Sequence, residues 1–209
     1  MTILNRIGFV LMIIGILIGL YYSFELYKGK SSAQDLTTEE IKYFEKIESN
    51  QHSIETTVNS QEPSSQMQYK KGEKVAVLNI PKIAKKFSVY WGADDTTLKK
   101  GVGMFVSDST TTPSESGGHT VLSGHRDTVF TDLGELKEKD NLIVEYDNKV
   151  YTYEIQKLRI TNEDDRTVIV KKERPILTLT TCYPFDYIGA APDRYIIEAK
   201  LIATNSKMK

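Results

Sequence analysis

The single cysteine of this chain, Cys182, closes the run Ile176-Leu-Thr-Leu-Thr-Thr-Cys182. Arg194 opens the run Arg194-Tyr-Ile-Ile-Glu-Ala-Lys200, and upstream His125 stands within Leu122-Ser-Gly-His125-Arg-Asp127. A thiol, an imidazole and a guanidinium therefore each sit at the end of a strand-like run. Cysteine is a strong nucleophile even when only partly ionised. Histidine gives and takes protons near neutral pH. A guanidinium donates hydrogen bonds in a fixed fork to a developing oxyanion. Together they are the parts of a thiol acyl-transferase. The blander alternatives are a small buried hydrophobe at Cys182 and a surface ion pair at Arg194, and the residues by themselves leave both readings open.

Strand parity orients these groups. Leu177 and Leu179 share one face of their run, while Thr178, Thr180 and Cys182 share the other. Burying the leucines turns Cys182 toward the more polar face. Arg194 begins the more polar face of its own run, alternating with Tyr195, Ile197 and Ala199. If the two runs are neighbours, thiol and guanidinium flank one groove. The intervening loop, 183–193, offers Phe185, Tyr187 and Ile188 as walls of a substrate pocket.

The supporting elements follow from patterning. Runs at 75–80, 87–91, 119–123, 141–146, 149–155, 167–170, 176–181 and 195–203 predict short strands. Asp147-Asn148 between two of them suits a type I′ hairpin. A capped short helix is expected at 94–98 and a helical turn at 130–136. Many short strands with turn chemistry between them predict a mainly β protein, a closed or nearly closed barrel in one domain.

Between Arg6 and Glu25 no residue is charged, and the 18 residues 7–24 are mostly apolar. As a helix they rise about 27 Å, close to the hydrocarbon thickness of a bilayer. Tyr21, Tyr22 and Tyr27 sit where an aromatic belt lies. The expected organisation is a cytoplasmic tail at 1–6, a transmembrane signal-anchor at 7–27, a polar and partly helical arm at 28–73, the barrel at 74–204 and a polar tail at 205–209. Arg6 favours a single pass with the N-terminus inside and the catalytic domain extracellular, a bias that Lys28 and Lys30 weaken. A cleaved signal peptide ending near Ser31-Ser-Ala33 is the alternative, disfavoured because that site lies well past the apolar run. Within the arm, Thr37-Thr-Glu-Glu40 reads as a capping box ahead of Ile41, Phe44 and Ile47, a stripe that Ile54 and Val58 extend. The stretch Ser60-Gln-Glu-Pro-Ser-Ser65 is expected to be flexible.

A formal net charge of -1 gives no support to nucleic-acid binding. One cysteine excludes an internal disulfide. That cysteine and three scattered histidines lack metal-ligand spacing. His52 is expected to be solvated and His119 structural.

Thr178-Leu-Thr-Thr-Cys182 matches the Thr-Leu-x-Thr-Cys motif of the sortases. Ser123-Gly-His125-Arg126 matches their histidine segment, and Arg194 falls at their arginine position after the cysteine loop. The resemblance covers residues 74–204, and three separated motifs agree with an N-terminal anchor. Gly124-His-Arg-Asp127 together with Thr181-Cys-Tyr-Pro-Phe185 looks most like class D sortases of Gram-positive bacteria. The pilin-polymerising class C enzymes share these motifs, but they usually carry a C-terminal membrane helix and an Asp-Pro-aromatic lid. Neither is present in the polar Thr204-Asn-Ser-Lys-Met-Lys209 or in the segment before Val75. The cysteine L,D-transpeptidases are set aside by the missing His-Gly-Cys cluster. A non-catalytic surface-binding domain using the same groove is the remaining alternative.

The resemblance implies an eight-stranded sortase-type β-barrel and a cysteine transpeptidase. That enzyme cleaves a Leu-Pro-x-Thr-Gly-like or Leu-Pro-x-Thr-Ala-like sorting signal after Thr. It implies Cys182 as nucleophile, Arg194 as holder of substrate and oxyanion, and His125 as acid and base, with Thr181 orienting substrate. The implied partners are surface proteins with C-terminal sorting signals and an amine of a peptidoglycan precursor or cross-bridge. The scheme calls for no diffusible cofactor.

Overall fold

Alternating apolar and polar residues build the strands, and the apolar halves of those strands meet inside one barrel. A computed structural model describes residues 3–30, 33–50, 69–186, 189 and 191–207. The strands are β1 (Ala33–Asp35), β2 (Lys74–Ile80), β3 (Lys85–Trp91), β4 (Val102–Met104), β5 (His119–Ser123), β6 (Asn141–Tyr146), β7 (Lys149–Asn162), β8 (Ile176–Tyr183) and β9 (Asp193–Ser206). The helices are α1 (Ile3–Lys30), α2 (Thr38–Asn50) and α3 (Asp95–Leu98). Sheet order is β1-β3-β2-β6-β7-β9-β8-β5-β4, and pairing of β3 with β4 closes β2 to β9 into an eight-stranded barrel. Leu78, Phe87, Leu122, Tyr153, Leu177 and Ile197 fill the interior and are essentially inaccessible to solvent.

Local chemistry sets the corners. Asp147 and Asn148 take φ of 47° and 59°, the left-handed pair that a type I′ hairpin needs between β6 and β7. Asp94 caps α3 through its carboxylate, which accepts from Thr96 N–H at 3.1 Å. A 3₁₀ turn at Leu133–Glu135 occupies the expected turn region.

Two stretches depart from the sequence reading. No strand forms at 167–170. Its polar groups are taken by side chains instead: Asp165 accepts from Thr167, and the carbonyl of Val170 accepts from the ring of His119 at 2.7 Å. The eighth barrel strand is β4, whose three residues bridge β3 and β5. β7 also runs beyond residue 155 to Asn162, past a register shift at Ile155/Lys157. β9 reaches Ser206, so the start of the expected C-terminal tail belongs to the ladder.

The arm docks on the barrel. Thr37 and Glu40 form the reciprocal capping box, with Glu40 N–H donating to the Thr37 hydroxyl at 3.2 Å and Thr37 N–H to the Glu40 carboxylate at 2.8 Å. Leu36 and Phe44 then cover Ile143 and Val150, which are 0% and 1% exposed on the outside of β6 and β7. β1 pairs with residues 85–87 of β3, the half of that edge that β4 leaves uncovered. Ion pairs Lys85–Asp35 (2.6 Å) and Lys86–Glu40 (2.8 Å) reinforce the contact. His52, Ile54, Val58 and residues 60–65 lie outside the described residues. In α1, the stretch Arg6–Phe24 has a mean hydropathy of 2.3 over 19 residues and is not buried against the protein. That length and composition suit a membrane span.

Candidate active site

The three sequence-predicted groups leave the barrel at one end of three adjacent strands. β8 lies between β5 and β9. Across the antiparallel β8–β9 pair, Cys182 is directly opposite Arg194. Such positions place Cα atoms about 4.5–5.5 Å apart with side chains on the same face. On the other side, parallel β5 pairs Ser123 with Thr180. Extending that register by two residues brings His125 level with Cys182.

Gly124 makes the extension rigid. Its N–H donates to the Thr180 carbonyl at 3.2 Å, and its carbonyl accepts from the Thr181 hydroxyl at 2.7 Å. The chain then folds back sharply, with Val129 and Phe130 N–H both donating to the His125 carbonyl, at 3.2 and 3.0 Å. Position 124 must be glycine because an added Cβ would lie 2.7 Å from both Val129 and Phe130 side-chain atoms.

Parity sorts the remaining side chains. Leu177, Leu179, Ile197 and Ala199 pack in the core, and Cys182 and Arg194 take the opposite parity. Thr181 falls on the core side and is 3% exposed, its hydroxyl engaged by Gly124. Tyr183, Phe185 and Tyr195 form an aromatic cluster beneath the site, with ring centroids 5.2–6.0 Å apart. Phe185 and Tyr195 pack against the barrel core. Burial, helped by the neighbouring Tyr183, pushes the Tyr195 phenol above its ordinary pKa. Tyr187 and Ile188 lie outside the described residues.

His119, by contrast, is wholly buried, and both ring nitrogens are bonded at 2.7 Å. The Val170 carbonyl can only accept, so Nδ1 carries the hydrogen and Nε2 accepts from the Thr178 hydroxyl. Burial holds this imidazole below its ordinary pKa. It is a neutral cross-tie between β5, β8 and the 167–172 segment. A thiol with a guanidinium-bearing residue opposite it on one neighbouring strand, and the loop that carries an imidazole tied to its other side, has the backbone layout for a nucleophile with a proton donor and an oxyanion donor.

A sequence profile of the sortase domain matches residues 78–202. This chain belongs to the sortase family. Sortase D of Bacillus subtilis (strain 168) is 46% identical over 132 residues, covering 63% of this chain and 65% of that protein. The match thus spans just under two thirds of that sortase's own length. The structure of the catalytic domain of B. anthracis SrtD is 80% identical, with a TM-score of 0.59, and covers 69% of this chain and 97% of that one. A Clostridium perfringens sortase D5 transpeptidase is 27% identical, with a TM-score of 0.58, over 65% of this chain and 83% of that one.

Two side chains whose contacts the sequence did not reveal join the candidate site. Arg126, next to the histidine, donates from Nη1 to the Pro184 carbonyl at 2.9 Å and from Nη2 to the Gly189 carbonyl at 2.7 Å. It clamps the loop after Cys182 to the loop carrying His125. Glu163, just past β7, accepts from Arg194 Nη2 at 2.8 Å. Arg126 was visible as part of the histidine motif, but its target was not. Glu163 had no sequence signal, because only the β7–β9 register brings it beside Arg194.

Proposed function

We propose that this sortase is a membrane-anchored cysteine transpeptidase acting on a Leu-Pro-x-Thr-Gly-type or Leu-Pro-x-Thr-Ala-type sorting signal. The reading rests on one observation above the others: Cys182 faces Arg194 across β8 and β9 while Gly124 ties the His125 loop to the other side of β8. The Cys182 thiolate attacks the threonyl carbonyl carbon. Arg194 donates to the oxyanion. As the C–N bond breaks, His125 protonates the departing amine, leaving a thioester on Cys182. An amine of a peptidoglycan precursor or cross-bridge then attacks that thioester and gives its proton to His125. A new amide forms and the thiolate leaves. The charge pattern around α1 supports an N-terminus inside and a barrel outside, where sorting signal and wall precursor both sit at the membrane. Tethering then raises the local concentration of enzyme and substrates.

The test is to incubate the protein with a sorting peptide and read Cys182 by mass spectrometry. An acyl adduct on Cys182, with loss of cleavage and transfer in Cys182→Ala, is the expected outcome. Turnover by Cys182→Ala above background overturns the assignment.

A further inference from the structure

Arg194 is held at both tips. Nη1 donates to the carbonyls of Ala191 and Asp193, at 3.2 and 3.0 Å, and Nη2 donates to the Glu163 carboxylate at 2.8 Å. A guanidinium has five N–H donors. Among the described residues these contacts use three and leave Nε–H and one Nη2–H for a substrate oxygen. The Nη1 contacts come from Arg194's own loop, whereas the Nη2 contact comes from another strand end. Only the second tip is braced across the sheet.

The brace stands on a rigid base. Thr161 and Asn162 pair with Arg194 and Asp193, so Glu163 follows directly from the last ladder position of β7. The turn after it is pinned by Asp165. One carboxylate oxygen of Asp165 accepts from Arg159 and the Thr161 hydroxyl, at 2.8 and 2.6 Å. The other accepts from Thr167 N–H and hydroxyl, at 2.9 and 2.6 Å. Asp165 N–H also donates to the Asn162 carbonyl at 3.1 Å. Glu163 itself remains 53% exposed, so the fold gains little from its burial.

We propose that Glu163 is a positioning residue for the transpeptidation: it fixes the plane of the Arg194 guanidinium so that the remaining donors aim at the oxyanion over Cys182. The proposal rests on the role of Arg194 given above. An arginine carries a long, rotamer-rich stem, and a second anchor removes freedom that would otherwise be lost at the transition state. Because the oxyanion exists only in that state, the effect belongs in kcat rather than in KM.

Steady-state kinetics with a sorting peptide, thermal melts and a double-mutant cycle test this. Glu163→Ala is expected to lower kcat about fivefold, the upper range for a partly exposed ion pair, with KM and melting temperature nearly unchanged. Glu163→Gln is expected to recover most of the rate, because its amide oxygen accepts the same Nη2–H. In an Arg194→Ala background, Glu163→Ala should cost nothing further. If Arg194→Ala collapses the rate but Glu163→Ala changes kcat less than twofold, the brace is refuted and the role of Arg194 survives. An equal loss from Glu163→Ala with and without Arg194 also refutes it. If Arg194→Ala leaves the rate intact, both readings fall together.

Discussion

The arginine fork is the residue whose chemistry is least replaceable by charge alone. Lysine keeps the positive charge of Arg194 but cannot reach the Ala191 carbonyl, the Asp193 carbonyl and the Glu163 carboxylate while still facing a substrate. Loss of one oxyanion donor costs about 10²–10³ in rate in proteases. Arg194→Lys is therefore expected to lower kcat/KM by about 10² in a peptide assay, and a change of only a few-fold would place Arg194 outside the chemistry. Thr181 makes a second residue-scale case. Its hydroxyl is spent on the Gly124 carbonyl beneath His125. Thr181→Val keeps the shape and β-propensity but leaves that carbonyl unpaired, at a cost of about 1–3 kcal/mol. Urea denaturation should show that loss, together with a lower peptide rate from a less fixed His125. Unchanged stability would mean that the hydrogen bond adds nothing to folding.

At the scale of elements, the arm behaves as part of the barrel surface. Its capping box and the stripe Ile41, Phe44 and Ile47 were legible in sequence, because both are local patterns. What they cover was not, since Ile143 and Val150 lie about a hundred residues away and face outward from their strands. In a soluble chain starting after α1, Phe44→Ala should lower stability by about 2 kcal/mol through lost apolar burial, with peptide cleavage retained. A wild-type denaturation midpoint in Phe44→Ala would show that the helix does not hold to the barrel. The same limit explains the strands. Alternation predicted β5, β6, β8 and β9 and the parity of Cys182 and Arg194. It did not reveal β4, where Gly103 lies between Val102 and Met104 and all three positions are buried. It stopped β7 at 155, because the register shift beside Gln156 breaks the period that marks a strand. It took Thr167-Val-Ile-Val170 for a strand on β-propensity alone, although that segment is a strap tied down by Asp165 and His119. The candidate site was legible as three residue types at three strand ends. Its supports, Arg126 and Glu163, were not, because each acts on a backbone or side chain far away in sequence.

For the whole molecule, acid should weaken the fold in two stages, and the order follows from where each group is held. Burial keeps His119 below its ordinary 6.5, because the neutral ring donates to Val170 and accepts from Thr178. The Lys172–Glu198 ion pair (2.9 Å) faces the same ring, the ammonium opposing its protonation and the carboxylate favouring it. The unfolded chain takes up this proton near pH 6.5, before the folded one does. Stability is therefore intact above about 6.5 and falls as pH drops through the window beneath it. Asp94 and Asp165 behave oppositely in type but alike in direction. Hydrogen bonds from Thr96 and Thr97 to Asp94, and from Thr161, Thr167 and Arg159 to Asp165, hold both carboxyls well below 3.8. The unfolded chain protonates them near 3.8, so their contribution is present above that value and lost as pH falls through the lower folded value. Melting temperature should thus decline from pH 6.5 to 5 and drop again below 4. In His119→Gln, whose amide can donate and accept but does not titrate, the absolute stability should fall while the slope between pH 6.5 and 5 flattens. A wild-type melting temperature that stays level from pH 7 to 5, or a slope unchanged in His119→Gln, would show that this buried imidazole is not what couples the barrel to pH.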